Sequence, residues 1–127
     1  VTLVVDTSVL VDHLRGDPRA HRLLDDAAQD GCALASSVIV RTEVLAGMRP
    51  GEERGTLLLL DALTWHDVTL EVADRAGHLA RRYRRSHPGV DLADYLIAAT
   101  TEHLGARLVT MNIKHFPMFP GLVRPYA

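Results

Sequence analysis

A chain of 127 residues, 47% apolar and 24% charged, has the size and composition of one domain (residues 1–127) that closes its own core without disulfides or structural zinc. Its formal charge of −2 excludes a general attraction for nucleic acid, so any such contact must come from local clusters of cations. The lone Cys32 cannot form an internal disulfide, no apolar run is long enough to span a bilayer, and no leader-like segment precedes the first strand; the expectation is a cytoplasmic protein with no membrane contact.

Taken in chain order, Thr2 to Asp6 is an apolar, β-branched run of the kind buried on both faces of a parallel sheet. Thr7 and Ser8 are expected to cap a short helix that runs to about Leu14 and stops at Gly16-Asp17-Pro18. Pro18 to about Asp30 carries Ala20, Leu23, Leu24, Ala27 and Ala28 at helical spacing, and a proline in the first turn supports the start. Cys32 to Ala35 reads as a second strand, and Ser36 or Ser37 opens a helix from Val38 to about Ala46. A helix is expected over Gly51–Leu63, a strand or edge over Trp65–Leu70, and a long helix over Glu71–Ser86 ending before His87-Pro88-Gly89. Asp91 to Leu104 reads as helix, Arg107 to Thr110 as strand, and a last short strand is expected around Leu122 to Arg124. Strands alternate with helices throughout, which predicts an α/β fold with a central parallel sheet in a three-layer α/β/α arrangement.

Four polar elements are expected to meet at the carboxyl edge of that sheet, where α/β proteins bind ligands. Asp6 ends the first strand and either caps the next helix or faces the crevice. Glu43 shares a helix side with Ile39, Val40, Ala46 and Gly47, and a carboxylate on a core-facing stripe requires a cation or donors. Asp91 and Asp94 stand three residues apart at a helix start, where both are favourable as cap and first-turn acid. They also repel by about 3 kcal/mol at an effective dielectric of about 20, a sign that a divalent cation between them reverses. Asn112 and His115 follow the strand that ends at Thr110.

An all-oxygen set of this kind suits a hard divalent ion and phosphodiester hydrolysis. The sequence holds no Gly-Lys-Ser/Thr phosphate loop, no Gly-x-Ser-x-Gly elbow, no His-Glu-x-x-His pair and no thiolate zinc set, and its seven histidines are scattered.

The stretches VVDTSVLVDHL, SSVIVRTEVLAGM, DLADYLIAATTEHLGARLVT and TMNIKHF resemble, in order and spacing, the motifs of PIN domains, and more narrowly those of VapC-type toxins of type II toxin–antitoxin modules. The resemblance covers essentially the whole chain. It implies an α/β/α fold, endoribonuclease activity dependent on Mg²⁺ or Mn²⁺, RNA as substrate, a homodimer and a cognate antitoxin that covers the active site. By position Asp6, Glu43 and Asp94 match the family's first three acidic residues. The fourth falls in TMNIKHF, where this chain has Asn112 and His115 and no carboxylate. Asp91 is the expected substitute, giving a metal set of Asp6, Glu43, Asp91 and Asp94 with Asn112 orienting water. Thr7, Ser8, Thr110, Lys114 and His115 are expected to position substrate.

Arg81, Arg82, Arg84 and Arg85 cluster about Tyr83, and further cations stand at Arg15, Arg41 and Arg49. The quartet reads either as phosphate contact or, the preferred reading at this level, as a solvated helix face. Two other functions compete with the nuclease: a catalytically weakened PIN-like module that binds RNA or a partner, and a phosphatase using Asp6 as nucleophile. The latter usually has a second Asp two residues on, where this chain has Ser8.

Overall fold

Successive residues of a strand point to opposite faces, so a strand whose neighbours are all buried must be covered on both sides. In the computed structural model, which describes residues 1–127, Leu3, Val4 and Val5 are all buried. They belong to β1 (Thr2–Val5), which with β2 (Ala33–Ser37), β3 (Thr64–His66) and β4 (Arg107–Val109) forms one sheet. The strand order is β3-β2-β1-β4 and every neighbouring pair is parallel. The helices are α1 (Thr7–Leu14), α2 (Pro18–Gln29), α3 (Val38–Ala46), α4 (Glu53–Asp61), α5 (Leu70–Tyr83) and α6 (Leu92–His103), followed by a 3₁₀ turn at Ile113–His115. This is the expected three-layer α/β/α fold around a parallel sheet. No helix is long and apolar enough to cross a membrane.

Local chemistry explains most boundaries. Asp17 caps α2 by accepting the Arg19 amide at 2.9 Å, with Pro18 at the first helical position. Ser37 ends β2 and caps α3 through the Ile39 amide at 3.2 Å, so the strand runs two residues past the expected Ala35. Thr69 caps α5 through the Val72 amide, which takes the chain out of extended pairing early and leaves β3 shorter than the expected Trp65–Leu70. The strand expected around Leu122–Arg124 does not form. Pro120 and Pro125 on either side offer no amide to a ladder, and Gly121 adopts a left-handed φ of 81° that breaks extended backbone. Leu122 packs against the core all the same.

The core is a cluster of 21 buried apolar side chains, including Val4, Val5, Leu10, Val40, Leu60, Leu79, Tyr95, Ile97 and Phe116. Two hydroxyls inside the protein, Thr56 Oγ1 and Tyr95 Oη, find no hydrogen-bond partner. An unpaired buried hydroxyl costs on the order of 1–3 kcal/mol. Tyr95→Phe and Thr56→Val are therefore each expected to raise stability by about 1 kcal/mol, read as a rise of roughly 3–5 °C in Tm for a domain of this size. A fall in Tm on thermal melting would show that the hydroxyl is satisfied and useful.

Candidate active site

Parallel pairing of β1 with β4 sets Val5 beside Val109, so the next residues, Asp6 and Thr110, leave the sheet together at its carboxyl end. The Asp6 amide donates to the Val109 carbonyl at 2.9 Å and fixes that exit. Asp6 occupies the N-cap position of α1, yet its side chain makes no capping bond. Its Oδ2 instead accepts the Thr110 hydroxyl at 2.6 Å and the Ser8 hydroxyl at 3.1 Å, and the residue is buried, 4% exposed. Short O–H donors to a carboxylate are the strong, charge-assisted kind, and they offset the cost of burying it. Ser8 in turn accepts the Met111 amide at 3.0 Å, and Thr110 accepts the Asn112 amide at 2.9 Å. Thr7 and Ser8 thus do not cap α1 as expected from sequence. They lie inside the helix, with Ser8 bound to Asp6 and Thr7 donating to Glu43 Oε1 at 2.8 Å.

Glu43 stands on α3 beside this cluster, but the reason drawn from sequence needs correction. The residue is exposed, as are Ala46 and Gly47, so no buried stripe traps it. The core side of α3 is Val40 and Val44. Glu43 is a rim carboxylate aimed across the crevice to Thr7.

Asp91 and Asp94 form a reciprocal capping box at the start of α6: Asp91 Oδ1 accepts the Asp94 amide at 3.1 Å and Asp94 Oδ2 accepts the Asp91 amide at 3.2 Å. Both also line the crevice. His115 Nδ1 lies 3.2 Å from Asp94 Oδ2. Burial pushes the Asp94 carboxyl up to about 6, against the Asp91 amide bond and His115, which favour the ionised form; the negative charges of Asp91 and Asp6 add to the rise. In the 3₁₀ turn, residues three apart fall on one side, which brings Asn112 and His115 to the crevice together. Lys114, expected to position substrate, is exposed on another side and outside the lining.

The resulting cleft has a volume of about 440 Å³ and is lined by Asp6, Asp12, Glu43, Asp91 and Asp94 together with Thr7, Ser8, Asn112 and His115. No Lys or Arg lines it. Thr110 sits buried beneath it as the support of Asp6. Asp12, one helical turn after Ser8, was missed from sequence, where spacing alone does not say which side of α1 meets the crevice. Its Oδ2 accepts the Tyr126 hydroxyl at 2.7 Å. A larger groove of about 580 Å³ lies at the amino ends of β1 and β4 under the C-terminal segment, and its lining is mostly apolar.

The donors suit a hard divalent cation: every candidate ligand is a carboxylate oxygen, with hydroxyl and amide groups beside them. No three carboxylates, imidazoles or thiols gather closely enough to enclose a bare ion. The arrangement fits an ion that keeps part of its water shell and takes one or two carboxylates directly, as Mg²⁺ does.

Residues 3–117 match the PIN domain family. The chain is 48% identical to ribonuclease VapC19 of Mycobacterium tuberculosis over 123 residues, covering 97% of this chain and 98% of the relative. It is 45% identical to ribonuclease VapC10 of the same organism over 125 residues, covering 98% and 93%. Among solved structures, a toxin–antitoxin complex from Klebsiella pneumoniae superimposes with a TM-score of 0.80 at 26% identity, over 99% of this chain and 98% of that one. VapBC2 from Rickettsia felis, bound to a promoter DNA fragment, shares the fold with a TM-score of 0.79 at 23% identity, over 98% and 97%. A family match across the acidic cleft and its supporting hydroxyls, and relatives of this identity along nearly the full length, establish that the chain belongs to the PIN-domain family and, within it, to the VapC group.

Proposed function

We propose that this chain is the toxin of a type II toxin–antitoxin pair, an endoribonuclease that uses Mg²⁺ or Mn²⁺ to hydrolyse RNA phosphodiester bonds. The observation that carries the reading is the charge of the cleft: five carboxylates line it and no Lys or Arg does. Such a site repels phosphate by itself and favours a cation by about 3–4 kcal/mol per carboxylate within about 4–6 Å, at an effective dielectric of about 20. The ribonuclease relatives support RNA as the substrate, and the Klebsiella complex supports an antitoxin partner. A homodimer is the assembly we assign to the free toxin.

A divalent cation held here would lower the pKa of an attacking water and neutralise charge on the scissile phosphate. Asp6 and Asp94 are the groups best placed to hold it, with Glu43 and Asp91 on the rim. Thr110 and Ser8 fix the Asp6 carboxylate through Oδ2 and leave Oδ1 free for the cleft. Thr7 steadies Glu43. Asn112 orients water or a phosphate oxygen, and His115 lies beside Asp94, where it can take or return a proton.

The weakened-module reading keeps one observation in its favour, an amide at Asn112 where the family resemblance calls for an acid. Against it, Asp12 and Asp91 line the same cleft and support the nuclease reading. Incubation of the purified chain with RNA decides between the two. Cleavage is expected with Mg²⁺ or Mn²⁺ and none after exhaustive chelation, as end mapping of the products will read. Cleavage undiminished in EDTA would remove the metal from the mechanism, and none under any metal would favour the binding module.

The two neighbouring aspartates are expected to separate. Asp94→Asn should lower cleavage by about 100-fold at any metal concentration, since it removes a carboxylate that would hold the ion. Asp91→Asn keeps the cap, because Asn caps as well as Asp, and its activity should recover partly as Mn²⁺ is raised. Equal and unrescued loss in both would make Asp91 a full ligand.

Thr110 carries a third expectation. Thr110→Val removes the hydroxyl that holds Asp6 and receives the Asn112 amide, and should reduce activity roughly 10–100-fold, the usual cost of losing a group that orients a metal ligand. Thr110→Ser should restore most of it. Parent-like rates for Thr110→Val would show that Asp6 is positioned without it.

A further inference from the structure

We propose that the turn bearing Arg81, Arg82, Arg84 and Arg85 is the surface on which single-stranded RNA lands before it enters the acidic cleft, a proposal that rests on the nuclease reading above. Helix direction puts the quartet there. Near the start of α5, Glu71 lies 3.7 Å from His103 Nδ1, and Arg75 pairs with Glu102 at 2.7 Å, both partners near the end of α6. The two helices therefore run antiparallel, and the end of α5 lies beside the start of α6, where Asp91 and Asp94 face the cleft. Only the short turn from Arg84 to Val90 separates them.

All four arginines are exposed, and none is paired with a carboxylate. Arg15, Arg19 and Arg75 all are. A solvated helix end explains part of the quartet, since cations in the last turn complement the helix dipole. It accounts for Arg81 and Arg82, which lie in that turn, but not for Arg84 at the cap and Arg85 beyond it. Four like charges within five residues repel each other, and a phosphate backbone turns that repulsion into attraction. The cleft needs such a neighbour: with five carboxylates in its lining and no Lys or Arg, it repels a polyanion unless the strand is gripped beside it. Tyr83 and His87 add an aromatic edge to the same turn, their rings 5.9 Å apart, with the Arg82 guanidinium 5.3 Å from the Tyr83 ring. Aromatic and guanidinium surfaces among cations suit unpaired bases of any sequence.

The test reads binding separately from cleavage. In an Asp94→Asn background that leaves RNA intact, a fluorescein-labelled 20-nucleotide single-stranded RNA is titrated with protein in EDTA at several salt concentrations. Replacing the four arginines with Gln is expected to weaken binding at least about 10-fold at low salt, and to make the slope of log K against log salt shallower by about 2, since each lost phosphate contact removes about 0.7. The Arg→Lys quadruple should keep the slope. A charge-matched control, Arg22, Arg54, Arg107 and Arg124 all changed to Gln, should bind nearly as the background does. Equal weakening by the control would reduce the effect to net charge and overturn the proposal. An unchanged slope in the Gln quadruple would overturn it too, and leave the quartet to a protein partner or to solvent. A parent chain that binds RNA through the quartet yet cleaves none in Mg²⁺ or Mn²⁺ would sink the nuclease reading alone.

Discussion

The site depends on one buried contact, the 2.6 Å hydrogen bond from the Thr110 hydroxyl to Asp6 Oδ2. It joins the ends of two adjacent parallel strands at the point where both leave the sheet. Parallel register makes the contact possible, because Val5 beside Val109 delivers Asp6 and Thr110 side by side. The contact then organises the segments just beyond each strand. Ser8 on α1 reaches back to the same carboxylate, and the amides of Met111 and Asn112 close onto the two hydroxyls. A carboxylate this buried is expensive to keep ionised without donors. The two hydroxyls meet that need through a single oxygen, so the other is left for the cleft.

Around this fixed point the protein sorts its charge by function. Carboxylates come from α1, α3 and α6 to one small cleft, and cations stay out of it. The start of α6 performs two tasks with the same atoms. Asp91 and Asp94 satisfy two helix-terminal amides reciprocally, which holds them in place despite their mutual repulsion. The raised pKa of Asp94 is the trace of that conflict, set first by burial and increased by Asp91 and Asp6. A cation in the cleft would relieve the strain that the capping box only contains.

The fold was legible in the sequence wherever local and global signals agreed. A buried β-branched run placed β1, and Pro18 with Asp17 placed the start of α2. The C-terminal segment was misread because Leu122 and Val123 looked like a strand in isolation, while the two flanking prolines and the left-handed Gly121 decided otherwise. The acids of the cleft were legible by residue but less so by cause. Glu43 was picked out as a core-facing carboxylate, yet it is exposed and reaches the site from the rim. Asp12 escaped notice because helical spacing alone does not say which side of α1 faces the crevice. Lys114 was grouped with its neighbours along the chain, where the 3₁₀ turn divides them by side. Pairings between distant segments, such as Thr7 with Glu43, have no trace in local pattern.

The amide at Asn112 shows how such a site can tolerate a shifted acid. A hydrated ion needs few direct ligands, and much of the work of the remaining carboxylates is to supply negative potential. At an effective dielectric of about 20, a carboxylate contributes about 2.8 kcal/mol per unit of positive charge at about 6 Å and about 2.1 at about 8 Å. Moving one acid by that much, from the turn after β4 to α1 or to the cap of α6, therefore costs about 1.4 kcal/mol for a divalent ion, provided it still faces the same cleft. Asp12 and Asp91 do. A direct ligand has no such freedom, because its oxygen must meet the ion at a fixed distance. Asp6, the direct ligand proposed above, is tied down by two hydroxyls inside the protein, while the rim acids sit on helix surfaces and caps that the fold builds for other reasons.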